Sequence, residues 1–283
     1  MKILALADIH QSIEKWDQLV TAVERIKPEI IAIAGDIFPK DDGILAQVSY
    51  RPRLREHALA MKSTGAEIVL IPGNDDNRLI VPELEEGDKD GLWHYVADRV
   101  KEVKGIEFCG CPWIRDYPFG YKHWVAPESP EEVYINPFQI GPPLTINDKN
   151  EVETIVDYEA YLKNKISIIE SLEKMAEQVK DMPNSIWLIH EPPSGMDLDL
   201  CASGDRVGSP LVYNFLEERQ PLFSVHGHIH EAPKYNGGIW AGKIGRTLCV
   251  QPGQLDDALY YVIFEIKAGR VDNLVHSVYG NHR

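Results

Sequence analysis

Short apolar runs alternate with longer amphipathic segments over the first 77 residues. Between two such runs, apolar residues recur at three- and four-residue steps from Ile13 to Ile26, which indicates a helix. A second helix is predicted from about Arg53 to Thr64. The runs are rich in β-branched residues and almost wholly apolar, as buried parallel strands tend to be, and they are Ile3 to Ala7, Ile30 to Ala34 and Ile68 to Ile71. The order strand, helix, strand, helix, strand is typical of βαβ units.

The pattern changes from Arg78 to about Val156, where prolines and aromatic residues are interleaved. A strand is predicted at Ile106 to Cys109, followed by an irregular insertion at about 112–156. Loops of this length in compact domains are usually functional or disordered, and the aromatic content favours an ordered flap. Two interpretations stay open: a lid or stacking surface for substrate, or an anchor to the body or to a second subunit. The residues concerned are Trp113, Tyr117, Tyr121 and Trp124.

The remaining chain predicts further helices and strands without a linker between them. A long helix is expected from about Tyr158 to Val179, then a strand at Ile186 to Ile189. Ser209 and Pro210 suit the start of a helix, because serine caps free N–H groups and proline fits the first turn. A hairpin is expected from Leu259 to Val278. With no internal repeat, residues 1–283 are predicted to form a single domain.

Charge and composition narrow the classes of partner. The chain has 29 basic and 44 acidic residues, a net charge of −15, so duplex nucleic acid is an unfavourable ligand. No run approaches the roughly 18 to 20 apolar residues of a membrane span, and Ile3 to Ala7 is too short for a signal sequence. The four cysteines are too scattered for a disulfide framework. We expect a soluble cytoplasmic protein with free thiols.

Polar side chains follow the predicted strands directly, in five separate segments. Since ligands bind at the carboxyl ends of strands in open α/β sheets, these side chains should converge. Carboxylate, amide and imidazole donors suit two divalent cations, with manganese expected first and iron or zinc also suitable. Any one of these residues alone is a weak signal, because Asp and Asn are common turn formers. The predicted metal ligands are Asp8, His10, Asp36, Asn74, His190, His228 and His230.

This ordered set resembles the calcineurin-like metallophosphoesterases. The resemblance implies an α/β fold, a four-layer α/β/β/α sandwich with two mixed β-sheets. It also implies that Asp36 bridges two metals, and that a metal-bound hydroxide attacks a small phosphate mono- or diester. One metal would take Asp8, His10, Asp36 and His230, and the other Asp36, Asn74, His190 and His228. The stretches Gly204-Asp205-Arg206-Val207-Gly208, His190-Glu191-Pro192-Pro193 and His228-Ile229-His230-Glu231 are similar to the class III cyclic nucleotide phosphodiesterase branch.

The chain departs from the family at Asp75. The family motif there is Gly-Asn-His-Asp or Gly-Asn-His-Glu, and its histidine contacts the scissile phosphate and helps the leaving group depart. An ionised aspartate cannot donate a proton, so weak hydrolysis of esters with poor leaving groups is expected. Asp75 could instead bind a cationic substrate group, recruit another cation, or be displaced while His226 or a flap residue such as His123 supplies the proton. Packing is the alternative for His226, and Asp75 and Asp76 are both counted among the candidate catalytic residues. Arg206 is a candidate phosphate contact or a solvated loop residue.

Three functions from different classes follow. A phosphoesterase acting on a small phosphorylated molecule is the main hypothesis. A non-catalytic metal-binding scaffold is the first alternative, because Asp75 replaces the family histidine. A nuclease is the second, although a net charge of −15 counts against it. The substrate, the metal pair and the oligomeric state are left open by the sequence.

Overall fold

The computed structural model describes residues 1–11, 13–39 and 44–282. The α-helices within these residues are α1 Ile13–Ile26, α2 Ile44–Lys62, α3 Val81–Lys89, α4 Tyr158–Lys163, α5 Ile168–Ala176, α6 Pro210–Arg219 and α7 Ala232–Tyr235. The first strands are β1 Lys2–Leu6, β2 Ile30–Ala34, β3 Glu67–Ile71, β4 His94–Tyr95, β5 Val100–Val103, β6 Ile106–Cys111, β7 Leu144–Ile146 and β8 Val152–Thr154. The later strands are β9 Ile186–Ile189, β10 Phe223–Val225, β11 Ala241–Ile244, β12 Thr247–Val250, β13 Val262–Lys267, β14 Arg270–His276 and β15 Gly280–Asn281.

Two large mixed sheets form the centre of an α/β fold. The first has the order β15-β14-β13-β1-β2-β3-β4, in which β1 to β4 are parallel and β13 is antiparallel to β1. The second has the order β11-β12-β10-β9-β6-β5, with four parallel strands between two antiparallel edge strands. The predicted parallel strands and the terminal hairpin are confirmed.

Side chains of alternate residues on β9 belong to two separate cores. Ile186 and Leu188 pack between the two sheets, whereas Trp187 and Ile189 face the helices behind the second sheet. Between the sheets, the rings of Phe223 and Phe264 stack with centroids 4.0 Å apart. Helices α1 and α2 cover the first sheet and α5 and α6 cover the second, which gives the four layers α/β/β/α.

The predicted long helix from Tyr158 to Val179 is wrong. The chain forms α4 and α5 instead, separated at Asn164–Ser167. Ser167 and Glu170 form a capping box, in which the Ser167 hydroxyl accepts from the Glu170 N–H and the Glu170 carboxylate accepts from the Ser167 N–H. This box satisfies the first N–H groups of a new helix, so the apolar stripe is divided between two helices.

Helix α2 begins earlier than predicted and runs through Pro52. The prediction placed the start after this proline, because proline usually breaks a helix interior. The added turns contain Gln47, whose side chain donates to the Asp75 carbonyl at 2.7 Å and accepts from the Asn77 N–H at 2.8 Å. These tertiary contacts stabilise the early part of α2 and attach it to the loop after β3.

The segment 112–156 carries the short β7-β8 hairpin and is otherwise irregular. Among the described residues, no helix is both long and apolar enough to cross a bilayer. All four cysteines are free, and Cys109, Cys111 and Cys249 are buried, as predicted.

Candidate metal centre

The loops after β1 and β2 are joined by backbone hydrogen bonds. The N–H of Asp8 donates to the Gly35 carbonyl, and the N–H of His10 donates to the Asp36 carbonyl, both at 3.0 Å. Asp8, Asp36 and His228 have positive φ angles of 58°, 52° and 70°. Non-glycine residues rarely adopt this conformation, and such strain concentrates at functional sites. The backbone therefore holds the polar side chains at these strand ends in unusual directions.

Three of the predicted ligands form one compact group. Donor atoms of Asp8, His10 and Asp36 all lie within 4.8 Å of one another, and all three residues are buried. His10 Nε2 lies 3.5 Å from Asp36 Oδ2. The His230 ring lies beside the His10 ring, with centroids 5.9 Å apart. A carboxylate and imidazole group of this kind can hold a borderline divalent cation.

The other predicted ligands meet around Asn74, and His190 reaches the same Asp36 oxygen as His10. Asn74 Oδ1 lies 3.0 Å from His190 Nε2 and 2.6 Å from His228 Nδ1. His190 Nε2 also lies 3.4 Å from Asp36 Oδ2. Asp36 thus contacts both groups, which is the position that a bridging carboxylate needs.

Two observations test whether a cation fits this arrangement. His190 Nδ1 lies 2.7 Å from the Ala34 carbonyl, which can only accept, so Nδ1 carries the hydrogen and Nε2 of the neutral ring offers a lone pair to the cluster. Metal-binding histidines commonly donate their other N–H to such a carbonyl. Asp8 Oδ1 accepts from the His228 N–H, whereas Asp8 Oδ2 is buried with no hydrogen-bond partner among the described residues. A divalent cation in each group would satisfy one of these two atoms.

The pKa values of the cluster agree with this interpretation. Burial would raise the pKa of Asp36, but the nearby His190 and His10 outweigh it and hold the pKa below its ordinary value. Burial lowers the pKa of His190, but Asp36 reverses the effect and raises it to about 10. Burial raises the pKa of Asp8 to about 7. A proton on His190 neutralises the cluster when no metal is present, and a cation would replace it.

Asp75 lies at the edge of this cluster. Its Oδ2 is 3.6 Å from His10 Nε2, and its side chain is 31% exposed. Its N–H donates to Asp36 Oδ1 at 2.8 Å. The carboxylate therefore occupies a position beside the proposed ligands, where its charge bears on any bound phosphate.

Asp76 has a different position from the catalytic one suggested by the sequence. Its fully buried carboxylate accepts hydrogen bonds from the N–H groups of Ile37, Phe38 and Gly73 at 2.8 to 3.0 Å. Burial, then the charge of Asp36, raises the pKa of Asp76 to about 8. Asp76 thus joins the loops after β2 and β3 and has a positioning role.

His226 is likewise enclosed by hydrogen bonds. Its Nδ1 lies 3.0 Å from the Ile189 carbonyl and its Nε2 lies 2.9 Å from the Ser224 hydroxyl. Burial lowers its pKa to about 4. A neutral histidine with both nitrogens engaged is a poor proton donor, which favours the packing alternative.

Arg206 forms an ion pair with Asp197 and lies 4.0 Å from Asp199. Its charge is balanced by these carboxylates, and its side chain is 52% exposed. The contacts do not bring Arg206 to the metal cluster, which argues against the suggested phosphate contact.

A network around the buried Glu191, which the sequence did not predict, supports His228. The Tyr117 ring meets the His228 ring edge-on, with centroids 4.2 Å apart. The Tyr117 hydroxyl donates to Glu191 Oε1 at 2.8 Å, and Arg115 Nε donates to the same oxygen at 3.1 Å. The acid directly after His190 was the sequence signal for this network, and the partner residues come from the insertion.

Comparisons with known proteins agree with the geometry. The family model described as calcineurin-like phosphoesterase matches residues 1–232. No curated protein matches the sequence significantly.

One solved structure aligns with 96% of this chain and 97% of its own, at 16% identity and a TM-score of 0.60. TT1561 of Thermus thermophilus aligns over 96% of each chain, at 13% identity and a TM-score of 0.55. A novel archaeal phosphodiesterase aligns over 98% of this chain and 99% of its own, at 11% identity and a TM-score of 0.45. At these identities, the first two superpositions show a shared fold.

Proposed function

Because this chain belongs to the calcineurin-like phosphoesterase family, we propose that it hydrolyses a small phosphate mono- or diester with the help of two divalent cations. The observation that carries the proposal is the convergence of six oxygen- and nitrogen-donor residues around Asp36. Manganese is the first candidate, and iron or zinc would also suit the donor set. The predicted branch, near the class III cyclic nucleotide phosphodiesterases, is part of this proposal.

The ligands divide into two sets that share Asp36. Asp8, His10, Asp36 and His230 would hold one cation, and Asp36, Asn74, His190 and His228 would hold the other. When bound, the cations would polarise the phosphate and lower the pKa of water. The chain fixes the directions of the ligands: the Ala34 carbonyl orients His190, and the His228 N–H orients Asp8.

The candidates that the sequence suggested as proton donors are poorly placed to protonate a leaving group. Asp75 stands where the family has its histidine, and an ionised carboxylate there repels the substrate oxygens. Both nitrogens of His226 are engaged. His123 Nε2 lies 3.1 Å from the Asp76 carbonyl and donates to it. Esters with good leaving groups, such as aryl phosphates, are therefore the preferred substrates.

Metal analysis and a panel of esters test the proposal. Purified protein should contain manganese, iron or zinc and hydrolyse p-nitrophenyl phosphate or bis-p-nitrophenyl phosphate. Asp36→Asn should lower kcat/KM by more than about 100-fold, because even the outer partners of metal ligands contribute about 10- to 100-fold. Asp272→Asn, which removes an exposed carboxylate on β14, is the matched control.

The outcomes separate the proposal from its alternatives. Absence of bound metal, or full activity in Asp36→Asn, would contradict the proposal. Bound metal without hydrolysis of any ester would favour the metal-binding scaffold. This alternative rests on Asp75, which replaces the family histidine. Metal-dependent cleavage of DNA in preference to small esters would favour the nuclease.

A further inference from the structure

A cavity of about 990 Å³ lies beside the loop that carries Asn74 and Asp75. Its volume is within the range of small-molecule pockets, roughly 300 to 1,000 Å³. None of the seven proposed metal ligands, all of which the structure describes, lines it. We call it the cationic cavity, because its lining includes Arg51, Arg78 and Lys165. Trp113, His123 and Trp124 also line it.

The positive charges of the cavity lack carboxylate partners. Within the described parts of the chain, Arg51, Arg78 and Lys165 form no ion pair, and the buried Arg51 Nε has no hydrogen-bond partner. The one acidic lining residue, Asp148, is exposed. Three cations without a carboxylate partner are unexpected in a protein with a net charge of −15. Their mutual repulsion would be offset by an anion placed between them.

Lys165 is held at the cavity by contacts other than ion pairs. Its ammonium donates to the His123 carbonyl at 2.7 Å and lies over the rings of Trp113 and Tyr161, 5.0 and 4.6 Å from their centroids. Burial, then the charge of Arg78, lowers the pKa of Lys165 to about 7. The ammonium is therefore held in place by carbonyl and ring contacts, while its charge is only partly compensated.

Other lining groups favour a planar ligand that carries a hydroxyl. The rings of Trp113 and Trp124, with centroids 5.3 Å apart and planes tilted by 57°, give the cavity an aromatic wall against which a planar group can pack. His123 is 7% exposed, and its Nε2 donates to the Asp76 carbonyl. The Nδ1 of the neutral ring is then an acceptor, and it is buried with no partner among the described residues. A hydroxyl group of a ligand would satisfy it.

We propose that the cationic cavity is a second binding site, which takes a small planar molecule bearing a phosphate or carboxylate. Arg51, Arg78 and Lys165 hold the anionic group, and Trp113 and Trp124 contact the planar part. The site goes beyond the proposed hydrolysis and does not depend on it. Both His123 and Trp124 donate to the carbonyl of Asp76, so an occupant would contact residues that support the loop of the metal centre.

Binding to metal-free protein tests the proposal directly. AMP and 4-hydroxybenzoate are the probes, since one offers phosphate and the other carboxylate, each on a planar body that carries a hydroxyl, and adenosine is the uncharged control. Tryptophan fluorescence and titration calorimetry report binding. We expect at least one anion to bind at least about tenfold more tightly than adenosine, because hydrogen bonds between charged groups are the strong ones. The tighter of the two anions identifies the preferred acid group.

Charge-removing variants locate the site. The variants Arg51→Gln and Arg78→Gln, the second at an exposed residue, should each lower the affinity for the anion by about tenfold. Arg270→Gln, which removes an exposed arginine from β14, should leave the affinity unchanged. Circular dichroism checks that each variant is folded. If Arg51→Gln does not fold, Arg78→Gln still tests the proposal. Three results would overturn the proposal: no binding of either anion, equal binding by Arg78→Gln and wild type, or binding that requires added Mn²⁺ and so belongs to the metal cluster.

Discussion

The metal centre and the insertion at 112–156 are both built from irregular backbone, yet different interactions hold them. At the metal centre, loops that follow parallel strands are joined by backbone hydrogen bonds and by the buried Asp76 carboxylate. In the insertion, one buried carboxylate, Asp116, accepts from the Lys122 ammonium, the Tyr158 hydroxyl and the Asn136 N–H. The first region takes its shape from the sheets, whereas in the second several side chains and backbone groups are gathered on one buried carboxylate.

Asp116→Ala should produce the largest loss of stability. Lys122 and Asp116 are almost completely buried and lie 2.7 Å apart, and the variant leaves the ammonium without its counter-ion. Breaking a buried ion pair on one side costs about 3 to 5 kcal/mol. Urea unfolding measures the free energy, and Asp148→Ala, an exposed aspartate of the same insertion, is the control. A loss no larger than that of the control would show that Asp116 does not hold the insertion.

The same contrast explains what the sequence could predict. Asp8, Asp36 and His190 each follow an apolar run, and the parallel arrangement of those runs brings their ends together. The role of Asp76 could not be predicted, because its partners are backbone N–H groups near Ile37, far away along the chain. The order of the insertion depends on long-range side-chain contacts such as those of Asp116, which leave no periodic pattern.

Gly35→Ala should damage the metal centre next most strongly. Gly35 has φ +101°, and an added Cβ would collide with the His190 ring and lie 3.0 Å from Gly73 Cα. The ring would lose its hydrogen bond to Ala34, and such orienting contacts contribute about 10- to 100-fold to metal affinity. Competition with a fluorescent chelator measures that affinity. Gly65→Ala has a similar φ of +89° with nothing near its Cβ, so equal losses in both variants would exclude a specific effect at His190.

Asp75→His should have a smaller effect and should raise activity, because it restores the family motif beside His10. Turnover of alkyl phosphates should rise about tenfold, a modest part of the roughly 10²- to 10⁴-fold that general acid catalysis contributes. Aryl phosphates, whose leaving groups need no proton, should gain less. Asp75→Asn removes the charge without supplying a proton. If both variants gained equally on alkyl esters, charge repulsion and not proton donation would be the limitation at this position.

The smallest predicted effect is a pH dependence that separates the two regions. Burial, then the charges of Lys165 and Arg78, lowers the pKa of His123 to about 4. Its unfolded value is about 6.5, so between these values the unfolded chain binds more protons and stability falls as pH falls. His190 of the metal-free centre behaves oppositely: its pKa is raised to about 10, so its contribution is complete below pH 6.5 and is lost as pH rises towards 10.

Comparing wild type with His123→Gln isolates the contribution of the insertion. Glutamine does not titrate, so the difference in unfolding free energy between the two proteins contains the His123 contribution and a constant. That difference should narrow by about 1 kcal/mol between pH 7.5 and pH 6, where the unfolded histidine becomes protonated and the buried one does not. Urea midpoints of metal-free protein at three pH values measure it. A difference that widens as pH falls would mean that His123 is protonated in the folded state. The Nδ1 atom would then be a donor, which contradicts its assigned role as an acceptor beside the cationic cavity.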